Sequence, residues 1–123
     1  MSKLSVIVPC YNEEAAAGRF LQETGRVLEQ MTREEERKKR EFSYEILFVD
    51  DGSSDGTAEV LRKLAEENSR VRYVIFSRNF GKEAAMYAGL QEADGALCVI
   101  MDADLQHPPA LLPDMYRRIT EEG

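Results

Sequence analysis

Four short apolar runs, at 4–8, 44–49, 71–76 and 96–101, alternate with four segments whose apolar residues recur at helical spacing. The runs are rich in Val, Ile, Leu and Phe and mostly continuous, as in parallel strands buried on both faces. Phe20, Leu21, Thr24, Val27, Leu28 and Met31 step by threes and fours, which is one face of a helix. Val60, Leu61, Leu64 and Ala65 repeat the pattern, and residues 82–93 offer Ala85, Met86 and Leu90 for packing. Leu111, Leu112, Met115, Tyr116 and Ile119 predict a fourth helix that starts near Pro108-Pro109, since proline suits a first turn.

The order β-α-β-α-β-α-β-α predicts one α/β domain over 1–123, an open, mostly parallel, Rossmann-like sheet with helices on both faces. Ligands of such sheets bind outside the carboxyl ends of the strands, so the residues that follow each strand become the candidates.

The first strand should stop at Pro9, which has no N–H for a ladder. Beyond it, Tyr11 offers a flat ring for a base and Glu13 offers acceptors, while Asn12 alone reads as a helix cap. The second strand runs into Asp50-Asp51-Gly52-Ser53-Ser54-Asp55-Gly56-Thr57. Ser54 or Asp55 suits a cap, and the glycines permit a tight turn. A capped turn does not explain Asp50 and Asp51, whose adjacent charges repel unless donors or a cation offset them.

The third strand leads to Arg78 and Lys82 around Gly81, cations suited to a diphosphate at the start of a helix. A surface ion pair with Glu83 or Asp50 is the plainer alternative. The fourth leads to Asp102-Ala103-Asp104-Leu105-Gln106-His107. In extended chain, residues 102, 104 and 106 project to one side and offer hard oxygens to Mg²⁺ or Mn²⁺. With seven aspartates in the chain, about 0.4 Asp-x-Asp triplets arise by chance, so the setting carries the signal rather than the triplet. His107 reads as a packed loop residue, at most in a second layer around the site.

A formal charge of −7 argues against nucleic acid or an anionic membrane surface as partner. Cys10 and Cys98 make no disulfide framework. With neither a signal peptide nor a spanning segment in view, a cytoplasmic protein is expected. The mixed charges of residues 33–41 read as a solvated helix end or loop rather than a binding patch. An exposed sheet edge would allow self-association. No G-x-G-x-x-G or P-loop is present.

Val-Ile-Val-Pro-Cys-Tyr-Asn-Glu-Glu (6–14), Phe-Val-Asp-Asp-Gly-Ser-Ser-Asp-Gly-Thr (48–57), Arg-Asn-Phe-Gly-Lys-Glu-Ala-Ala (78–85) and Asp-Ala-Asp-Leu-Gln-His-Pro-Pro (102–109) occur in this order. On these four motifs the chain resembles glycosyltransferase family 2. It is most similar to the polyprenyl-phosphate branch, which includes dolichyl-phosphate mannose synthase and bactoprenol glucosyltransferase. The resemblance implies a GT-A fold, a UDP- or GDP-linked sugar donor, a divalent cation, inversion at the anomeric carbon and, for this branch, a polyprenyl phosphate acceptor. It implies that Pro9, Tyr11, Glu13 and Asp50, with Asp51 nearby, line the nucleoside pocket. Lys82 and Arg78 would lie near the diphosphate, with Ala103 and Asp104 also touching the donor. Asp102, Asp104 and Gln106 would hold the metal.

Members of the family run well beyond this length, and their acceptor half follows the Asp-x-Asp segment. The expectation is therefore a nucleotide-sugar-binding half without acceptor site or membrane helices, inactive alone, with no candidate here for the catalytic base. A nucleotidyltransferase-like enzyme and a non-catalytic nucleotide-binding module are the rival readings.

Overall fold

The computed structural model describes residues 2–122. Four strands appear, β1 (Ser2–Cys10), β2 (Phe42–Asp50), β3 (Val71–Ile75) and β4 (Leu97–Ile100). Helices α1 (Ala17–Arg37), α2 (Thr57–Glu67) and α3 (Lys82–Glu92) connect them, and a 3-10 turn at Pro109–Leu111 leads into α4 (Leu112–Glu122). All pairings are parallel, in the order β3-β2-β1-β4.

The two long runs therefore occupy the centre of the sheet, where continuous apolar sequence is required. Leu4, Val6 and Val8 of β1 and Tyr44, Ile46 and Phe48 of β2 face one way, into a core with Phe20, Leu28 and Met31 of α1, Leu61 of α2, and Leu112 and Tyr116 of α4. The other face is thinner. Leu47 and Val49 pack on Ala85, with Ala88 half-buried beside them. Helix α3 comes close because Gly89 has no side chain: a Cβ there would stand 2.4 Å from Ile7 Cγ2.

Two strand ends differ from expectation. Strand β1 does not stop at Pro9 but continues through Cys10, with Pro9 opposite Val49. The Ile7 carbonyl accepts the Met101 N–H on the β4 side, so Pro9, two residues on, presents its missing donor to that same side. The β1–β4 register has ended at Ile7↔Ile100, and nothing there requires an N–H. The Asp-x-Asp segment is not extended either. Strand β4 ends at Ile100, and Ala103 and Asp104 form a turn in which the Leu105 N–H reaches the Asp102 carbonyl at 3.3 Å. Leu105 adopts φ 61, a strained value for a bulky side chain.

The charged run ends α1 within solvent. Lys39 takes φ 57, and the Arg40 N–H returns to the Glu35 carbonyl at 2.9 Å. Among the described residues no helix is long and apolar enough to cross a membrane.

Candidate functional site

The parallel sheet delivers the ends of β1, β2 and β4 to one edge, and the start of α3 joins them. A cleft of about 250 Å³ opens there, lined by Pro9, Cys10, Tyr11, Glu13, Asp51, Lys82, Asp102, Ala103, Asp104 and Gln106. Nine of the eleven residues expected at a donor or metal site thus share one cavity. Asp50 and Arg78 do not line it. Asp50 lies beneath the rim, 1% exposed, and Arg78 places its guanidinium over the Phe80 ring at 4.2 Å. His107 is exposed and outside the lining. A larger groove of about 620 Å³ runs between the second half of α1 and α4. It contains none of the expected site residues, and its charges pair among themselves, Arg37 with Glu34, Arg40 with Glu35 and Arg117 with Asp114, so chemistry favours the smaller cleft.

The adjacent Asp50 and Asp51 owe their tolerance to donors within the protein. Asp50 Oδ1 accepts the Ser53 N–H at 3.1 Å and the Ser53 hydroxyl at 2.5 Å. Asp51 turns to the loop after β3, accepting the Phe80 N–H at 2.8 Å and Asn79 Nδ2 at 3.2 Å. Each carboxylate is satisfied separately, which removes the repulsion that made the pair conspicuous.

Asn12 does not cap α1, whose N-cap position is Ala16. Its φ of 55, a conformation that asparagine tolerates, turns it toward the loop after β2. There its Oδ1 accepts the Ser54 N–H at 2.9 Å, and its own N–H donates to Ser53 Oγ at 2.8 Å. The Glu13 N–H donates to Thr57 Oγ1 at 2.9 Å, so the loop carrying Tyr11 and Glu13 is fastened to the start of α2. Asp55, one residue before the Gly56 N-cap, accepts the Thr57 N–H at 2.9 Å. Asn12 and Asn79 are the site's structural ties, and only the tolerance of asparagine for positive φ could have flagged the first in the sequence.

Charge in the cleft is unbalanced. Burial, then Asp104, Asp102 and Asp55, hold the Glu13 carboxyl above its usual range. Lys82 Nζ donates to Asp102 Oδ1 at 2.7 Å, neither with Glu83 nor with Asp50. Gln106 donates its N–H to Asp104 Oδ1 at 3.2 Å and its side-chain Nε2 to Oδ2 at 3.0 Å. Burial, with Glu13 and Asp50 behind it, pushes the Cys10 thiol far up, so Cys10 is a neutral wall rather than a nucleophile.

Among the described residues no three His, Cys, Asp or Glu side chains form a preassembled metal cage. The donor set nonetheless fits a hard divalent ion. Mg²⁺ and Mn²⁺ sites of this class use one or two carboxylates and leave the remaining positions to water and substrate phosphate. Asp102 and Asp104 supply two carboxylates to the cleft, and their charges are among the causes that raise the Glu13 pKa, so the lining carries an excess of negative charge that a cation would offset.

Residues 5–123 match glycosyl transferase family 2. The chain is 39% identical over 124 residues to the undecaprenyl-phosphate 4-deoxy-4-formamido-L-arabinose transferase of Proteus mirabilis (strain HI4320), covering 100% of this chain and 35% of that protein. It superposes on S. aureus TarS 1-349 in complex with UDP-GlcNAc with a TM-score of 0.72 and 25% identity, over 97% of this chain and 31% of TarS. The mannosyltransferase PcManGT from Pyrobaculum calidifontis, in complex with GDP-Man and Mn²⁺, gives a TM-score of 0.67 and 28% identity over 84% of this chain and 28% of that one. The chain spans about a third of the length of the curated relatives it matches. The fold is that of the GT-A glycosyltransferases.

Proposed function

The chain belongs to glycosyl transferase family 2, and from that premise we propose that it binds the donor and the metal in a sugar transfer from a nucleoside diphosphate to a polyprenyl phosphate. The observation that carries this reading is the gathering of Glu13, Asp51, Asp102 and Asp104, with Lys82 among them, on one cleft at the carboxyl ends of the strands. Family membership sets aside the nucleotidyltransferase reading.

Tyr11, half exposed at the mouth, offers its ring to the base, and Pro9 and Glu13 form the adjoining wall. Asp50 and Ser53 brace this wall from beneath through Asn12. Lys82, in the first turn of α3, places a mobile ammonium beside outward-pointing N–H groups, where a diphosphate is favoured. Asp102, Asp104 and Gln106 are the proposed metal ligands, and Ala103 lets the sugar side of the donor approach the backbone. A bound Mg²⁺ or Mn²⁺ ion would neutralise charge that develops on the departing diphosphate. The proposed acceptor class follows the Proteus mirabilis relative, whose name gives undecaprenyl phosphate. UDP- and GDP-linked donors are both represented among the structural neighbours.

Calorimetric titration with UDP, GDP and their sugars, each with and without Mn²⁺, tests the assignment. Binding should tighten with Mn²⁺, and the gain should vanish in Asp102→Asn/Asp104→Asn. Absence of nucleotide binding, or binding indifferent to both the ion and the double substitution, overturns it.

A further inference from the structure

The Lys82 ammonium and the proposed metal share a ligand. Lys82 Nζ lies 2.7 Å from Asp102 Oδ1, and the side chains are 60% and 27% exposed. A divalent ion on either oxygen of Asp102 would bring two positive charges onto a carboxylate that already holds an ammonium, and like charges at that range repel. The lysine has somewhere to go. It stands at the first position of α3, after Gly81 at φ 101, on a flexible four-carbon stem that faces the same cleft as Asp104 and Tyr11. A surface pair of this exposure is weak enough to be exchanged, not a fixed strut.

We propose that Lys82 is an exchangeable counter-ion: it neutralises Asp102 until a divalent ion takes that carboxylate, and is then released to the donor's diphosphate. This rests on the metal assignment made above. It adds a coupling that direct phosphate–metal contact does not require, because metal entry would free the residue that grips the diphosphate. In metal-free protein Asp102 would therefore act against nucleotide binding by keeping Lys82 occupied.

A double-mutant cycle reads this directly, without turnover. Chelator-treated wild type, Asp102→Asn, Lys82→Met and the double variant would be titrated with UDP and with GDP. Asp102→Asn should bind about threefold more tightly than wild type, and the same change in the Lys82→Met background should give no gain. An equal gain in both backgrounds means that Asp102 acts only as a negative charge, which overturns the exchange. Paramagnetic titration of free Mn²⁺ provides the second readout. Lys82→Met should bind Mn²⁺ about threefold more tightly than wild type, and unchanged or weaker affinity also overturns the proposal. If no variant binds Mn²⁺ or nucleotide, the functional reading fails and takes the exchange with it. If Mn²⁺ and nucleotide bind but the cycle is additive, the exchange alone fails.

Discussion

Gly52 and Arg78 meet backbone to backbone: a Cβ built on Gly52 would stand 2.1 Å from the Arg78 carbonyl carbon. Gly52 also adopts φ 68, which side chains rarely tolerate. The loops after β2 and β3 therefore close on each other with no room between them, and this approach brings Asn79 and Phe80 onto Asp51. Gly52→Ala should cost about 2 kcal/mol or more, from the left-handed backbone plus a clash that cannot relax by rotating a side chain. Chemical denaturation would measure the loss, and an alanine variant as stable as wild type would show that the two loops can part freely.

Asp51 should behave as a latch on the loop that leads to Lys82. In Asp51→Ala the Phe80 N–H loses its acceptor, while Asn79 Nδ2 keeps only the residue 51 carbonyl at 3.2 Å, at a cost of about 1–3 kcal/mol. Hydrogen exchange at Phe80 should accelerate while exchange in β1 remains slow. Unchanged protection at Phe80 would mean that the loop is held by other means.

Much of this architecture was open to reading from the chain. Continuous apolar runs identified β1 and β2 as buried strands because both lie inside the sheet, and period-3.6 spacing found α1 because Phe20, Thr24, Leu28 and Met31 all point into one core. The edge position of β4 was not legible, since Val6 pairs with Val99 through a register set only when the chain crosses over. Nor was the turn at Asp102–Gln106, where Leu105 accepts a strained backbone that no local preference suggests. Site membership was readable because strand ends converge in any parallel α/β sheet. The partner of each charge was not. The Lys82–Asp102 and Asp51–Asn79 pairings join residues twenty or more positions apart, and the sequence pointed to Glu83 or Asp50, not Asp102, as the ion-pair partner.

At the opposite end of the sheet, Glu45 should set the acid limit of stability. It is 3% exposed and accepts the Ser5 hydroxyl at 2.6 Å, Arg72 at 2.7 Å and the Asp94 N–H at 2.7 Å. Burial alone would raise its pKa, but Ser5, Arg72 and Asp94 together bring it below the ordinary value. A carboxyl depressed in the folded state stabilises above its unfolded pKa of about 4.3, and that contribution disappears as pH falls through the lower, folded value. Glu45→Gln should thus lose about 2 kcal/mol at pH 7, with the half-exposed Arg72 limiting the figure. The gap to wild type should narrow below pH ~4. Nucleotide affinity of the folded variant should stay at the wild-type value, because the network stands at the other end of the strands. A pH-independent gap would mean that shape rather than charge matters at this position.

Glu13 should show the reverse sign. Burial and the charges of Asp104, Asp102 and Asp55 raise its pKa in the folded state, so the folded protein holds the proton to a higher pH than the unfolded chain does. Its contribution is therefore most favourable below the unfolded pKa and is lost as pH rises through the folded one. Glu13→Gln removes the charge that is resisted and keeps the size of the side chain. In the presence of chelator the variant should melt above wild type at pH 7 and converge on it toward pH ~3, where Glu13 is neutral in both states. Thermal scans across that range decide the matter. A variant that melts below wild type at neutral pH would mean that the Glu13 carboxylate is stabilised by its surroundings, and the excess negative charge assigned to the cleft would then be wrong.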